Sequence, residues 1–87
     1  MEYEDALEKI ISIVSGIFGV PKESLSEDST WAEDLQMDLG RSLQDNKFVD
    51  LKATLDREFG TDIPNMKFGR TKNLKEATLF MLDLIDD

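Results

Sequence analysis

Apolar residues recur at helical spacing in three stretches of this chain, separated by two segments that lack the pattern. In the first, Leu7, Ile10, Ile11, Val14, Ile17 and Phe18 fall at i, i+3, i+4, i+7, i+10 and i+11. That predicts a helix from about Tyr3 to Phe18 with a wide apolar face. Glu2, Glu4 and Asp5 suit its positive end, while Gly16, Gly19 and Val20-Pro21 disfavour its continuation. In the second stretch Phe48, Leu51, Leu55 and Phe59 fall three or four apart, which predicts a central amphipathic helix. Ser42 is a good N-cap residue for it, with Asp45 three positions on as a carboxylate capping box, and Phe59-Gly60 is its stop. The third stretch places Leu74, Ala77, Phe80, Met81, Leu84 and Ile85 on one face, with Asn73 as cap and Glu76 at the third position. Asp86-Asp87 oppose the helix dipole there, so a frayed end is expected.

The first connection, Val20 to Arg41, is long for a compact domain and rich in Ser, Asp and Glu. Leu25, Trp31 and Leu35 punctuate it and are expected to pin it across the bundle, with Trp31 read as an anchor before a ligand platform. Gly60 to Pro64 reads as an extended link. Asn65 then caps a brief third helix, Met66 to Arg70, kept marginal by Gly69. The pattern predicts one domain over residues 1–87, an all-α, small four-helix bundle with a long first loop and a short third helix. Its expected core is Leu7, Ile10, Val14, Leu51, Leu55, Leu74, Ala77 and Met81.

Composition narrows the chemistry more than the fold. Apolar residues at 40% and charged residues at 33% suit a folded domain. The chain has no cysteine, hence no disulfide, thiolate metal site or thiol nucleophile, and no histidine to act as the usual general base. Self-contained catalysis is not expected: carboxylates are plentiful, but nothing marks a pair offset in pKa. The net charge of −9 disfavours nucleic acid and anionic membrane surfaces. It suits basic patches on partner proteins, and equally it keeps a small domain soluble. The acidic start and the charges inside the first apolar run fit neither a signal peptide nor a membrane span, so a cytoplasmic location is expected; a monomer is expected as well.

Taken in order, several fragments resemble the acyl carrier protein family. Phe18-Gly19-Val20, Leu25 and Ser29-Thr30-Trp31-Ala32-Glu33-Asp34-Leu35 are similar to the family's first helix end and loop. Val49-Asp50-Leu51, Leu55-Asp56-Arg57-Glu58-Phe59-Gly60 and Asp62-Ile63-Pro64 resemble its second helix and the following link. Asn73-Leu74-Lys75-Glu76-Ala77 stands where the family usually has Thr-Val-x-Asp-Ala. The resemblance covers nearly the whole chain. It implies a four-helix carrier whose serine holds a covalent 4′-phosphopantetheine arm, and through it an acyl thioester, for lipid or related secondary biosynthesis. The partners it implies are a phosphopantetheinyl transferase and acyl-activating, condensing or acyl-transfer enzymes.

The chain departs from the family at its hallmark, Asp-Ser-Leu at the start of the second helix. Asp38 is followed by Leu39, and an insertion of about six residues, Leu39 to Gln44, precedes the point where the resemblance resumes. Ser42-Leu43 lies inside the insertion and follows Arg41, not aspartate. Ser42 is nonetheless the only serine after Ser29, which makes it the attachment candidate. A phosphodiester on an N-cap serine would face unpaired backbone N–H groups at a positive helix end, and Arg41 could add a cationic contact. A capping role alone also accounts for Ser42. Met37, Phe48 and Met66 could adapt around an acyl chain, or simply pack.

The family's second helix is usually strongly acidic. Here Lys47, Lys52 and Arg57 alternate with Asp45, Asp50, Asp56 and Glu58, which weakens long-range steering and suits a narrow partner set. The alternative is a non-carrier adaptor that binds a partner through the second helix and the insertion, with Leu39 and Leu43 as apolar contacts. Calcium binding at Asp34, Gln36, Asp38 and Asp45 fails on the glycine, which falls one place late at Gly40, and on the last ligand, an aspartate.

Overall fold

The computed structural model describes residues 1–37 and 46–86. They form four helices and no strand: α1 (Tyr3–Phe18), α2 (Asn46–Phe59), α3 (Asn65–Phe68) and α4 (Leu74–Asp86). The all-α architecture with one short helix and a long first connection is the one the hydrophobic pattern predicts. Asp87 and the side chain of Asp86 lie outside the description, and with them the expectation of a frayed end.

Helix α1 packs against both α2 and α4. Its buried line is Ala6, Ile10 and Val14, with Leu7, Ile11, Ile17 and Phe18 half-buried at its sides. From α2 come Phe48, Leu51 and Leu55, and from α4 Leu74, Ala77 and Met81, all buried. The expected core is therefore right except for Leu7, which sits on the flank, with the small Ala6 taking the close-contact position. Thr78 is a fully buried polar residue on α4; its hydroxyl donates to the Leu74 carbonyl at 2.7 Å and is satisfied within its own helix.

Helix ends follow the residues that terminate them. Gly19 ends α1 in the left-handed conformation (φ 70°), its N–H donating to the Ser15 carbonyl. Gly60 does the same after α2 (φ 67°), with the Thr61 N–H reaching back to the Asp56 carbonyl as in a Schellman turn. Asn73 caps α4 as expected, its side-chain oxygen accepting from the Glu76 N–H at 2.8 Å. The Glu76 carboxylate reaches one residue past the usual capping-box partner, to the Lys72 N–H. Helix α3 differs from expectation. Pro64, with its fixed φ, occupies the cap position, Asn65 is already helical, and the helix closes at Phe68. Beyond it the chain tightens into i→i+3 bonds, Arg70 N–H to Lys67 and Thr71 N–H to Phe68.

The long connection is stitched to the bundle. A 3-10 turn, Lys22–Ser24, which the apolar spacing does not reveal, follows Pro21. Further on, Trp31 N–H donates to the Lys72 carbonyl, Leu74 N–H to Ser29, and Lys75 N–H to Glu27. The last two satisfy N–H groups in the first turn of α4 that have no partner in their own helix. Leu25, Trp31 and Leu35 are all buried, so the three pegs hold.

Candidate functional site

The residues expected to carry the chemistry, Arg41, Ser42 and Leu43, lie at 38–45, outside the described residues. So do the rest of the insertion and the capping arrangement assigned to Ser42 and Asp45. The described residues on either side of this segment form a frame for it.

On the loop side the frame runs from Thr30 to Met37. The Asp34 carboxylate accepts both the Thr30 N–H (2.8 Å) and the Thr30 hydroxyl (3.2 Å), closing a tight turn. Gln36 adopts a left-handed conformation (φ 53°), which swings the chain so that the Met37 N–H reaches the Trp31 carbonyl at 2.7 Å. Met37 is buried by this wrap. Trp31 holds the turn to the bundle: its indole N–H donates to the Thr71 hydroxyl at 3.2 Å, and its ring lies against Phe18 and Phe68.

On the helix side the first described turn of α2 carries Phe48, fully buried and 6.2 Å from the Phe68 ring. Phe68 thus touches Trp31, Phe48 and Phe80, joining the loop, α2 and α4 through edge-on and tilted aromatic contacts. The Lys47 ammonium lies 5.5 Å over the Phe18 ring. Both ends of the segment therefore start from one aromatic cluster. Of the three residues considered for an acyl chain, Met37 and Phe48 are buried in this frame, while Met66 is 71% exposed on α3. The structure does not bring the three together.

Charge on α2 is partly neutralised in place. Lys52 donates to Asp56 at 2.8 Å and lies 3.6 Å from Asp62; the Asp56 hydrogen bond is the main reason its pKa rises above the ordinary lysine value, against a lowering from partial burial. The other Asp56 oxygen accepts the Ile63 N–H (2.9 Å) and the Thr61 hydroxyl (3.1 Å). Asp56 thereby folds the α2–α3 link back onto its helix, a role that helical spacing cannot show because it depends on the reversal at Gly60. Lys9 fixes α1 to the end of α2, donating to the Glu58 carbonyl and lying over the Phe59 ring. Near the start of α1, the Tyr3 hydroxyl donates to Glu27 at 2.7 Å; burial, and then that hydrogen bond to a carboxylate, push its pKa to about 12.

The other serines are a poor match for an attachment point at a helix start. Ser15 and Ser24 donate to backbone carbonyls, and Ser29 is buried and accepts the Ser26 N–H. Ser26 accepts the Asp28 N–H within the loop, and Ser12 lies inside α1. None stands at the beginning of α2, where the phosphate of a covalent arm would meet free N–H groups. Ser42 is the serine nearest to α2 on its N-terminal side in the sequence.

No protein-family profile matches the chain. It is similar to an acyl carrier protein of Cyanidium caldarium, 33% identical over 84 residues that span 97% of this chain and 91% of that one. It is also 31% identical over 81 residues to an acyl carrier protein of Thermosynechococcus vestitus, covering 93% of each. Identity at this level over nearly the whole chain goes with an all-helical bundle of the expected element order. The chain belongs to the acyl carrier protein family.

Proposed function

We propose that this protein is a specialised acyl carrier, holding an acyl group through a 4′-phosphopantetheine arm on Ser42. The observation that carries the reading is the match to two acyl carrier proteins over nearly the whole chain, and the sequence supports Ser42 as the one serine after Ser29. When bound, the arm supplies the thiol that a chain without cysteine lacks. The chain's own contribution is positional. Trp31 and Phe48 anchor the two sides of the attachment segment; the positive end of α2 and Arg41, next to Ser42 in the sequence, would favour a phosphate. No histidine is present to deprotonate Ser42, so the proton must leave to a base on the phosphopantetheinyl transferase.

The finer assignment is to lipid or related secondary biosynthesis in the cytoplasm, with acyl-activating, condensing or acyl-transfer enzymes as partners. That assignment rests on the family resemblance; the mixed charge of α2, where Lys52 is held by Asp56 and Asp62 and Arg57 lies beside Glu58, supports only a narrow partner set. A helix so neutralised steers weakly toward a generic basic patch and selects partners by contact. The test is incubation with coenzyme A and a broad-specificity transferase, followed by intact mass of the wild type and Ser42→Ala. An adduct in the first and none in the second supports the proposal. An adduct surviving in Ser42→Ala overturns the assignment of the arm to Ser42, and none with several transferases overturns the carrier reading in favour of the adaptor.

A further inference from the structure

Five aromatic rings form the frame from which both sides of the attachment segment start, and Phe68 is at their centre. Its ring lies 6.1 Å from Trp31, 6.2 Å from Phe48 and 5.7 Å from Phe80, while Phe18 lies 6.4 Å from Trp31. Rings at these separations are in contact. Trp31, Phe48 and Phe68 are at most 2% exposed. Polar bonds hold the rings where they are. The Thr71 hydroxyl accepts the Trp31 indole N–H at 3.2 Å and donates to the Phe68 carbonyl at 2.8 Å. The Phe68 N–H donates to the Pro64 carbonyl and the Thr71 N–H to the Phe68 carbonyl, so the backbone is fastened on both sides of the buried ring. Parting Trp31 from Phe68 would strain these bonds as well as break the ring contact. Met66, the flexible side chain on the same short helix, points to solvent instead.

We infer that Phe68 sets the cargo of this carrier: its ring, wedged among Trp31, Phe48 and Phe80, keeps an acyl chain out of the bundle, so the arm carries short or polar acyl groups held in water. The inference rests on the carrier reading above and names its substrate class. A methylene chain is stabilised where it finds apolar contact away from water. At this cluster such contact requires displacing a ring from a close-packed interior, which forces side chains and backbone out of their preferred positions. A long chain left outside keeps its apolar surface in water, whereas an acetyl-sized or hydroxylated acyl group exposes little of it.

The test uses the full chain, loaded by a broad-specificity transferase from acetyl-coenzyme A or octanoyl-coenzyme A so that each acyl group arrives with its arm, and intact mass verifies each load. The unfolding midpoints of the acetyl and octanoyl forms should agree within about 3 °C, and the ring resonances of Phe48, Phe68 and Phe80 should coincide. Phe68→Ala opens a dry apolar space of the kind that takes up apolar ligands, so in that variant the octanoyl form should melt above the acetyl form by more than this margin. Should Phe68→Ala lack a cooperative transition, Phe68→Leu, a smaller change, takes its part in the comparison. An octanoyl arm that raises the wild-type midpoint beyond the margin, or moves the Phe68 ring signals, would overturn the inference and leave the carrier reading standing. Equal midpoints of the two loads in the folded Phe68 variant would overturn it as well. Absence of any load would overturn the carrier reading, and this inference with it.

Discussion

Asp56 makes a prediction that separates hydrogen bonding from charge. One of its oxygens accepts the N–H of Ile63, itself buried, and the Thr61 hydroxyl; the other holds Lys52. Asp56→Ala removes all three contacts and leaves the Ile63 N–H without its acceptor. A buried donor left unpaired costs about 1–3 kcal/mol, and hydrogen bonds to a charged group are worth about 1.5–3 kcal/mol. The Lys52 pair, with side chains 26% and 18% exposed, adds no more than about 1 kcal/mol. A loss of about 2–4 kcal/mol is expected for Asp56→Ala. Asp56→Asn keeps an oxygen for Ile63 and loses chiefly the charge, so it should cost about 1 kcal/mol or slightly more. Lys52→Met should cost less than about 1 kcal/mol. For a domain of this size each kcal/mol lowers Tm by about 4–8 °C. Urea unfolding followed by the fluorescence of Trp31, the one tryptophan and buried, measures all three variants. Equal losses for Asp56→Ala and Asp56→Asn, or a Lys52→Met as damaging as Asp56→Ala, would refute the reasoning.

Three further outcomes are expected. Leu55→Ala, at a core position 1% exposed, should cost about 2–5 kcal/mol in the same assay, and an unchanged midpoint would mean the register of α2 is wrong. Tyr3 is the single tyrosine, so phenolate absorbance reports it alone; its midpoint should lie near pH 12 and fall in Glu27→Gln. Because the folded pKa is raised, the stability this group contributes is complete below its ordinary value of 10.0 and is lost as pH rises through 12, a loss that Tyr3→Phe should lack. If Ser42 caps an α2 that begins before Asn46, the amides of Asn46, Lys47 and Phe48 should exchange slowly, since their acceptors would be the carbonyls of residues 42–44 in the insertion; fast exchange of all three would place the helix start at Asn46 and remove the capping argument.

Much of the fold was legible because three amphipathic faces and two glycine stops each point to the same bundle. Leu25, Trp31 and Leu35 were recognisable as pegs because large apolar residues in a polar loop have nowhere else to go. What they hold onto was not readable, since the bonds from Trp31, Leu74 and Lys75 to backbone groups across the chain leave no trace in side-chain type. Phe68 is the clearest omission: inside a helix of four residues it has no periodic neighbours, yet it joins Trp31, Phe48 and Phe80. Gln36 hides for a related reason, because its left-handed turn is imposed by the wrap around Trp31 and not by its own preference. The attachment candidate is legible by a different route: the family resemblance fails at its hallmark, and Ser42 stands out by its place before a helix and by the unsuitability of the other serines.

The most direct measurement is intact-mass and peptide-fragment analysis of the protein produced alongside a phosphopantetheinyl transferase and an acyl-activating enzyme. The account predicts a phosphopantetheine adduct on the peptide that contains Ser42, and an acyl mass that neutral hydroxylamine removes, as a thioester requires. Protein that stays unmodified, an arm on any other residue, or an acyl group resistant to hydroxylamine would contradict it.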